Sequence, residues 1–588
     1  MTDLDWSAVE TKGSSTNKIN LLTHTNANND KLLHIEHYTG VKTGRDTADT
    51  TEFNVDTNTQ EEDAQHIVSE SYQYRGQTER VEMDGNVYGG ISKVGNATRE
   101  NTIGVSSSTY TNAYGGYTDV PLNIGSDNAK SKEKGNSHDN TITISGANVL
   151  DTVYGGYTKA ASGTATKNTV NVTNGSAAKV VGAQSAGDAK TNKVNISGGS
   201  VGAVIGSIST GGGAASNNEI TLSGGVTVDS VLGGQGTTTE NNKVNLEGAT
   251  VNGSVKGGSA GGAGHELTVK RANTVGSLVG FDTLTFNVGT AVGTNPMLTL
   301  NGGTSTLDWQ KLEVNGTTAG PVTLMENGDG ISFGSTYDGA KSKINSADTT
   351  EFNIDTENRA ASDNKVIAQS YQYRGQTNAV TSIGTDVYGG ISRVANATRE
   401  NNITVSSGSY TNAYGGYTDS VPPLPGSDAK AHSAEKNNSH DNTITISGSA
   451  NIGTVYGGYT NAAAGTATKN TVNVTGGTVA NVVGGYSTGD AKENTVNVKS
   501  NVTGDVTGSV STSGAASANV INLDNITVGG NVTGGSGATT EDNIIHLNRA
   551  VVTGSITGGT AASGTGNTLV LHSGASKAQS LAGIQNIN

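Results

Sequence analysis

Asn470-Thr471-Val472-Asn473-Val474 alternates polar and apolar residues with a period of two, the signature of a β-strand with one buried face. The same Asn-x-[Val/Ile/Leu]-x-[Val/Ile/Leu] pattern begins at Asn101, Asn140, Asn168, Asn192, Asn218 and Asn242, and again at Asn401, Asn442, Asn494, Asn519, Asn543 and Asn567. Between these strands lies a second recurring segment that ends in glycine, as in Val87-Tyr88-Gly89-Gly90, Val153-Tyr154-Gly155-Gly156, Val387-Tyr388-Gly389-Gly390 and Val455-Tyr456-Gly457-Gly458. In the first half its leading glycine, or the equivalent residue, falls at 89, 115, 155, 182, 206, 233, 257 and 280. One repeat is therefore about 25 residues, with a single longer step after 115. A unit of two or three short strands and no helix cannot bury its own apolar face, so it must stack on its neighbours.

A larger repeat encloses the smaller one. Thr51-Glu52-Phe53-Asn54 returns as Thr350-Glu351-Phe352-Asn353, Ser71 to Thr78 returns at Ser370 to Thr377, and Leu4-Asp5-Trp6 matches Leu307-Asp308-Trp309. The expected organisation is two β-solenoid modules, 1–306 and 307–588, each about 300 residues long. The last residues, Ser580-Leu581-Ala582-Gly583-Ile584, match Ser277-Leu278-Val279-Gly280-Phe281, so the second module is expected to be truncated within a longer array that supplies flanking repeats. With stacked strands about 4.8 Å apart, roughly twelve coils per module predict a rise of about 55–60 Å each and about 110 Å together.

Composition points the same way. The 588 residues include 84 glycines, 6 prolines and no cysteine, with 32% hydrophobic and 4% aromatic residues; this fills a thin core of Val, Ile and Leu but no thick one. The net charge of −15 supplies no basic face for nucleic acid. Without cysteine there is no disulfide framework, no thiolate nucleophile and no Cys-based metal site. No apolar run reaches the roughly 20 residues that span a bilayer. Met1 to Glu10 lacks the basic and apolar regions of a signal peptide, so targeting and anchoring parts are expected outside this chain.

The glycines of the repeated pairs (Gly89, Gly90, Gly155, Gly156, Gly389, Gly390, Gly457 and Gly458) are expected at coil corners, where positive φ or close backbone approach favours glycine. The asparagines are expected to form a ladder, each amide bonding to the next coil, with His265 replacing asparagine at the place that Asn567 fills in the second module. Tyr88, Tyr114 and Tyr154 are expected to stack beside the glycines.

The Val-Tyr-Gly-Gly-Tyr-Thr and Asn-Thr-Val-Asn-Val-Thr-Gly-Gly units, Val455 to Thr460 and Asn470 to Gly477, resemble the glycine-rich passenger repeats of bacterial autotransporter (type V secreted) adhesins and giant repetitive surface proteins. Leu278 to Phe286 is similar to segments that close such blocks. The resemblance is one of repeat style over most of the chain. It implies an all-β, right-handed parallel β-helix, exported to the extracellular face of a bacterial cell, whose partners are a host surface protein, a glycan or sister cells.

The longer step marks an inserted loop, near 119–135 and 419–437, with Pro121, Lys130 and Lys132 in one copy and Pro422, Pro425 and Lys430 in the other; long loops on rigid scaffolds often carry recognition. His138-Asp139 and His440-Asp441 close it, with no nucleophile or second carboxylate apparent in sequence, so turn capping is the expected role. Arg99-Glu100 and Arg399-Glu400 read as exposed ion pairs or loop anchors. Neither a calcium-binding nonapeptide nor EF-hand spacing occurs, and no cofactor is expected. Charges at Lys193, Glu219 and Lys243 interrupt any regular threonine row of the kind that binds ice. No coil offers an Asp/Glu pair at strand spacing with a basic partner, so a β-helix polysaccharide-degrading enzyme or phage tailspike, which needs one, is only the minor alternative. The expected function is a non-catalytic surface stalk or adhesin, with a purely structural fibre or surface-layer component as the alternative.

Overall fold

The computed structural model describes residues 72–588, except 94, 120–132, 261, 303–304, 308–311, 319, 334–340, 343–349, 356–363, 382–383, 394 and 420–434. Earlier in the chain it describes the backbone of the strands Thr2–Asp3, Glu10–Thr11, Ile19–Thr23, Leu33–His34, Lys42–Thr43, Thr51–Thr57 and His66–Gln73. The chain is a β-solenoid of about 16 turns, with no α-helix among the described residues. It divides into two compact units: Met1–Glu313 with Thr323–Ser332 and Thr356–Val366, and Val314–Val322 with Phe333–Asp355 and Ile367–Asn588.

In the second unit each coil turns through three faces. The first face stacks eight strands, among them Val387–Ser392, Ser409–Thr418, Asn451–Thr460 and Thr478–Ser487; the second stacks five two-residue strands, from Thr398–Arg399 to Ala516–Ser517; the third stacks eight, from Asn402–Val405 through Thr471–Val474 to Asn586–Ile587. These pairings are parallel and in register, Val455 against Val482 on the first face and Ile444 against Val472 on the third. The first unit repeats the plan, but Thr141–Thr158 and Thr169–Ser185 run unbroken from the third face to the first, with register shifts where they bend.

The core is one side-chain layer thick. In the coil around Asn470, Val472 and Val474 point in from the third face and Val479 and Val482 from the first-face strand Thr478–Ser487, all fully buried. Four aliphatic side chains per coil suffice because each lies directly over its counterpart in the neighbouring coil, so apolar area is removed from water along the axis. Opposite them the interior is polar: Thr398 and Thr418 share a hydroxyl contact of 2.8 Å, and Thr398 Oγ1 donates to Ser439 Oγ at 2.9 Å.

Two features depart from the sequence reading. Thr51–Thr57 pairs antiparallel with His66–Gln73, and Thr350–Asp355 pairs antiparallel with Lys365–Gln372, so the long repeats quoted above form hairpins rather than coils. Those hairpins take up residues that the length estimate had assigned to roughly twelve coils per module. The glycine pairs are also not corners: Gly89 and Gly90 lie within Asn86–Ser92, Gly155 and Gly156 within Thr141–Thr158, Gly389 and Gly390 within Val387–Ser392, and Gly457 and Gly458 within Asn451–Thr460; none has positive φ. The left-handed corner is the residue just before each ladder asparagine, Glu100, Asp139, Lys167, Thr191, Asn217 and Asn241 in the first unit and Glu400, Asp441, Lys469, Glu493, Ala518 and Asp542 in the second, with φ between 51° and 60°, and Gly566 before Asn567, with φ 74°.

Candidate functional site

The asparagines line up inside the solenoid as a continuous amide ladder. Asn470 shows the unit: its Oδ1 accepts from the backbone N–H of Asn442 at 3.2 Å and from Asn442 Nδ2 at 2.9 Å, and its Nδ2 donates to Asn494 Oδ1 and to the Ser439 carbonyl, both at 3.0 Å. The pattern runs from Asn401 through Asn442, Asn470, Asn494, Asn519 and Asn543 to Asn567, and from Asn101 through Asn140, Asn168, Asn192 and Asn218 to Asn242, every one of them buried. The backbone N–H groups of Gln77 and Gln376 begin the two ladders by donating to Asn101 and Asn401. The bonds satisfy the N–H groups exposed by the left-handed residue before each asparagine. The ladder thus offsets the cost of placing a non-glycine side chain in that conformation.

The glycine pairs make room for this ladder. A Cβ on the first glycine of a pair would overlap the carbonyl oxygen of its counterpart one coil on, Gly155 against Gly182 and Gly457 against Gly484. A Cβ on the second, as at Gly90, Gly156, Gly390 or Gly458, would overlap the amide of Asn101, Asn168, Asn401 or Asn470. Close approach, not positive φ, requires glycine at these places.

His265 ends the first ladder. Its Nδ1 accepts the Asn242 backbone N–H at 3.2 Å, while Asn242 Nδ2 turns to the carbonyls of Ala215 and Gly257. Burial holds the His265 pKa below the ordinary histidine value, with Asp282, the Thr239 backbone and Glu240 pulling weakly the other way. An imidazole with a depressed folded pKa favours the fold fully above the unfolded value of about 6.5 and loses that contribution as pH falls below it. The first unit is therefore expected to lose stability on acidification from pH 7 to pH 5. His265→Asn, which recreates the Asn543–Asn567 arrangement, is expected to abolish that loss and add about 1 kcal/mol. Urea denaturation of both forms at the two pH values checks this.

On the outer side of the first face the tyrosines stack in two columns. Tyr88, Tyr114 and Tyr154 stack at 5.1 and 5.2 Å, with Tyr117 and Tyr157 beside them at 5.4 Å and edge-on to the first column. The second unit repeats this with Tyr388, Tyr414 and Tyr456, and lengthens the second column to Tyr417, Tyr459 and Tyr486. Burial pushes the Tyr388 hydroxyl up to about 12, and the other column tyrosines with shifted hydroxyls move the same way. Lys159 lies 5.5 Å from the Tyr117 ring centre and Arg393 lies 5.6 Å from that of Tyr371.

Pro121, Lys130, Lys132, Pro422, Pro425 and Lys430 lie outside the described residues. The return of the inserted loop is described. His138 Nδ1 is 2.7 Å from Asp139 Oδ2, and Glu133 Oε2 is 2.6 Å from Nε2; in the second copy His440 meets Asp441 at 2.6 Å and Glu435 at 2.7 Å. The sequence reading missed this second carboxylate because Glu133 and His138 are neither adjacent nor at strand spacing. The Glu100 partner also differs: Glu100 pairs with Arg75 of the preceding coil at 2.9 Å, as Glu400 pairs with Arg374 at 2.8 Å, instead of with the adjacent Arg99 or Arg399. These exposed pairs contribute under about 1 kcal/mol each. Among the described residues no group of three His, Cys, Asp or Glu side chains is placed to hold a metal ion.

Comparison with protein-family models, curated proteins and solved structures finds no match. The functional reading therefore rests on the chain's own surfaces.

Proposed function

We propose that this protein is a non-catalytic, repetitive stalk or adhesin displayed on a bacterial cell surface, which mediates attachment to host or neighbouring cells. One observation carries the reading. The same parallel, in-register faces and the same loop-closing His–Asp–Glu group recur at matching places in two solenoid units built on an interior ladder. Repeated presentation of weak contacts raises avidity without any new contact, which is what an attachment protein needs and a single catalytic centre does not. The resemblance to passenger repeats of autotransporter adhesins supports the extracellular placement.

Beads coated with the full chain are expected to bind epithelial cells or bacteria, with retention rising steeply with coating density. Beads that bind no cell, from a chain that instead assembles end to end into fibres, would replace this reading with a purely structural one. Removing residues 120–132 and 420–434 together then separates attachment through the inserted loops from attachment through the solenoid faces.

A further inference from the structure

The second unit carries a groove at the turn where the third face passes into the first. It has a volume of about 450 Å³ and draws its walls from successive coils. At about 4.8 Å per coil, the five coils between Thr385 and Thr503 make it about 20 Å long. Tyr410, Gly453 and Ala480 form its floor, over the buried Ile452. Thr385, Thr411, Asn451, Thr478 and Thr503 form a polar rim, along which Thr411 Oγ1 donates to Thr385 Oγ1 at 3.1 Å. None of its lining side chains is charged, on a chain whose net charge is −15.

Three differences between the units fall at this place. In the first unit the Tyr110 hydroxyl donates to Glu82 at 2.6 Å, Glu82 pairs with Arg80 at 2.9 Å, and Tyr110 is buried. In the second unit Val380 pairs with Tyr388 as Val81 pairs with Tyr88, and the next residue is Thr381 where the first unit has Glu82; the anchor for the ring is gone. Ser108, with φ 77°, is replaced by Gly408, and the Tyr410 ring packs so closely over it that a Cβ there would lie 2.7 Å from the ring. Finally, Leu150 and Asp151 lie between Val149 and Thr152 in the first unit, and Leu150 projects outward, 60% exposed; in the second unit Gly453 alone lies between Ile452 and Thr454. The outcome is a long, uncharged slot with an aromatic and aliphatic floor and a hydroxyl-and-amide rim.

We infer that this groove binds a neutral oligosaccharide, lying along the solenoid axis. This inference rests on the attachment reading and names its ligand class. A chain of sugars offers apolar ring faces to Tyr410 and Ala480 and hydroxyls to the rim at intervals comparable to the coil repeat. A charged glycan finds no counter-charge, and an apolar ligand would leave the rim hydroxyls unpaired.

The test uses the full chain on an array of neutral oligosaccharides of glucose, galactose, mannose and N-acetylglucosamine, followed by calorimetric titration of the strongest binder. Ala480→Arg, which fills the floor, and Gly408→Ser, which displaces the Tyr410 ring, are each expected to weaken binding by about tenfold or more. Ala178→Arg, at the equivalent place in the first unit, is expected to leave it unchanged, and unaltered melting curves show that the variants fold. Binding that survives Ala480→Arg, or is lost equally in Ala178→Arg, overturns the groove. Cell attachment by a chain that binds no neutral oligosaccharide overturns the groove alone, whereas absence of attachment overturns the reading on which it rests.

Discussion

Gly457→Ala is expected to destabilise the second unit by about 3 kcal/mol or more, the upper range for forcing extra volume into a packed interior. The added methyl meets the Gly484 carbonyl oxygen directly, and also lies 3.0 Å from Asn470 Cβ and 3.1 Å from Val472 Cγ2, so it strikes backbone, ladder and core together. Backbone cannot rotate away as a flexible side chain can. The coil must lift from its neighbour, and in a stacked fold each coil's stability depends on the interfaces it makes. Hydrogen exchange should show faster exchange over the strands Asn451–Thr460 and Thr478–Ser487, with a lower urea midpoint. Gly104→Ala is the matching control. Gly104 lies in a third-face strand, with open space at its Cβ and no positive φ, so alanine there is expected to be neutral or slightly stabilising. Equal losses from the two variants would show that close approach is not what selects glycine.

Asn470→Ala should cost a similar amount, about 3 kcal/mol, for a different reason. It removes no bulk from the apolar core. It leaves the Asn442 backbone N–H, an Asn442 amide N–H and the Ser439 carbonyl without the partner they have in the native chain, in an interior where each unmet polar group costs about 1–3 kcal/mol. Asp441, left-handed with φ 52°, then loses the acceptor for the Asn442 N–H that follows its corner, so loosening should spread to the neighbouring coil. Asn473→Ala separates position from chemistry. Asn473 also bonds along the axis, donating to Thr445 and accepting from Asn497 at 2.9 Å, but at the part-exposed outer surface, where water replaces the lost partner. Its loss should stay below about 1 kcal/mol. Thermal unfolding of the two variants side by side decides the point.

Much of this architecture is legible in the residues because a solenoid is nearly one-dimensional: each coil meets only its neighbours, so a sequence period becomes a spatial column. The spacing from Asn442 to Asn470 to Asn494 and that from Gly457 to Gly484 each predict one stack, and both stacks are present. Period-two alternation likewise placed Val472 and Val474 inward. The Tyr88, Tyr114 and Tyr154 stack followed from the same register.

What the period left open is whatever depends on conformation within a coil or on partners off the repeat. Glycine in a turn-rich sequence suits a corner and a close contact equally well, and only the backbone path shows that Gly457 is mid-strand while Lys469 turns the corner. Composition gives no warning there, since lysine, alanine and glutamate are all poor markers of a left-handed residue. The antiparallel pairing of Phe352 with Ser370, the meeting of Glu133 with His138 and the bond from Tyr110 to Glu82 join residues that no period relates. The sequence by itself thus determined the stacking, because repetition along the axis forces like residues over like. Only the tertiary structure decided which face each column occupies and where a groove opens, because those depend on how the chain bends within each coil.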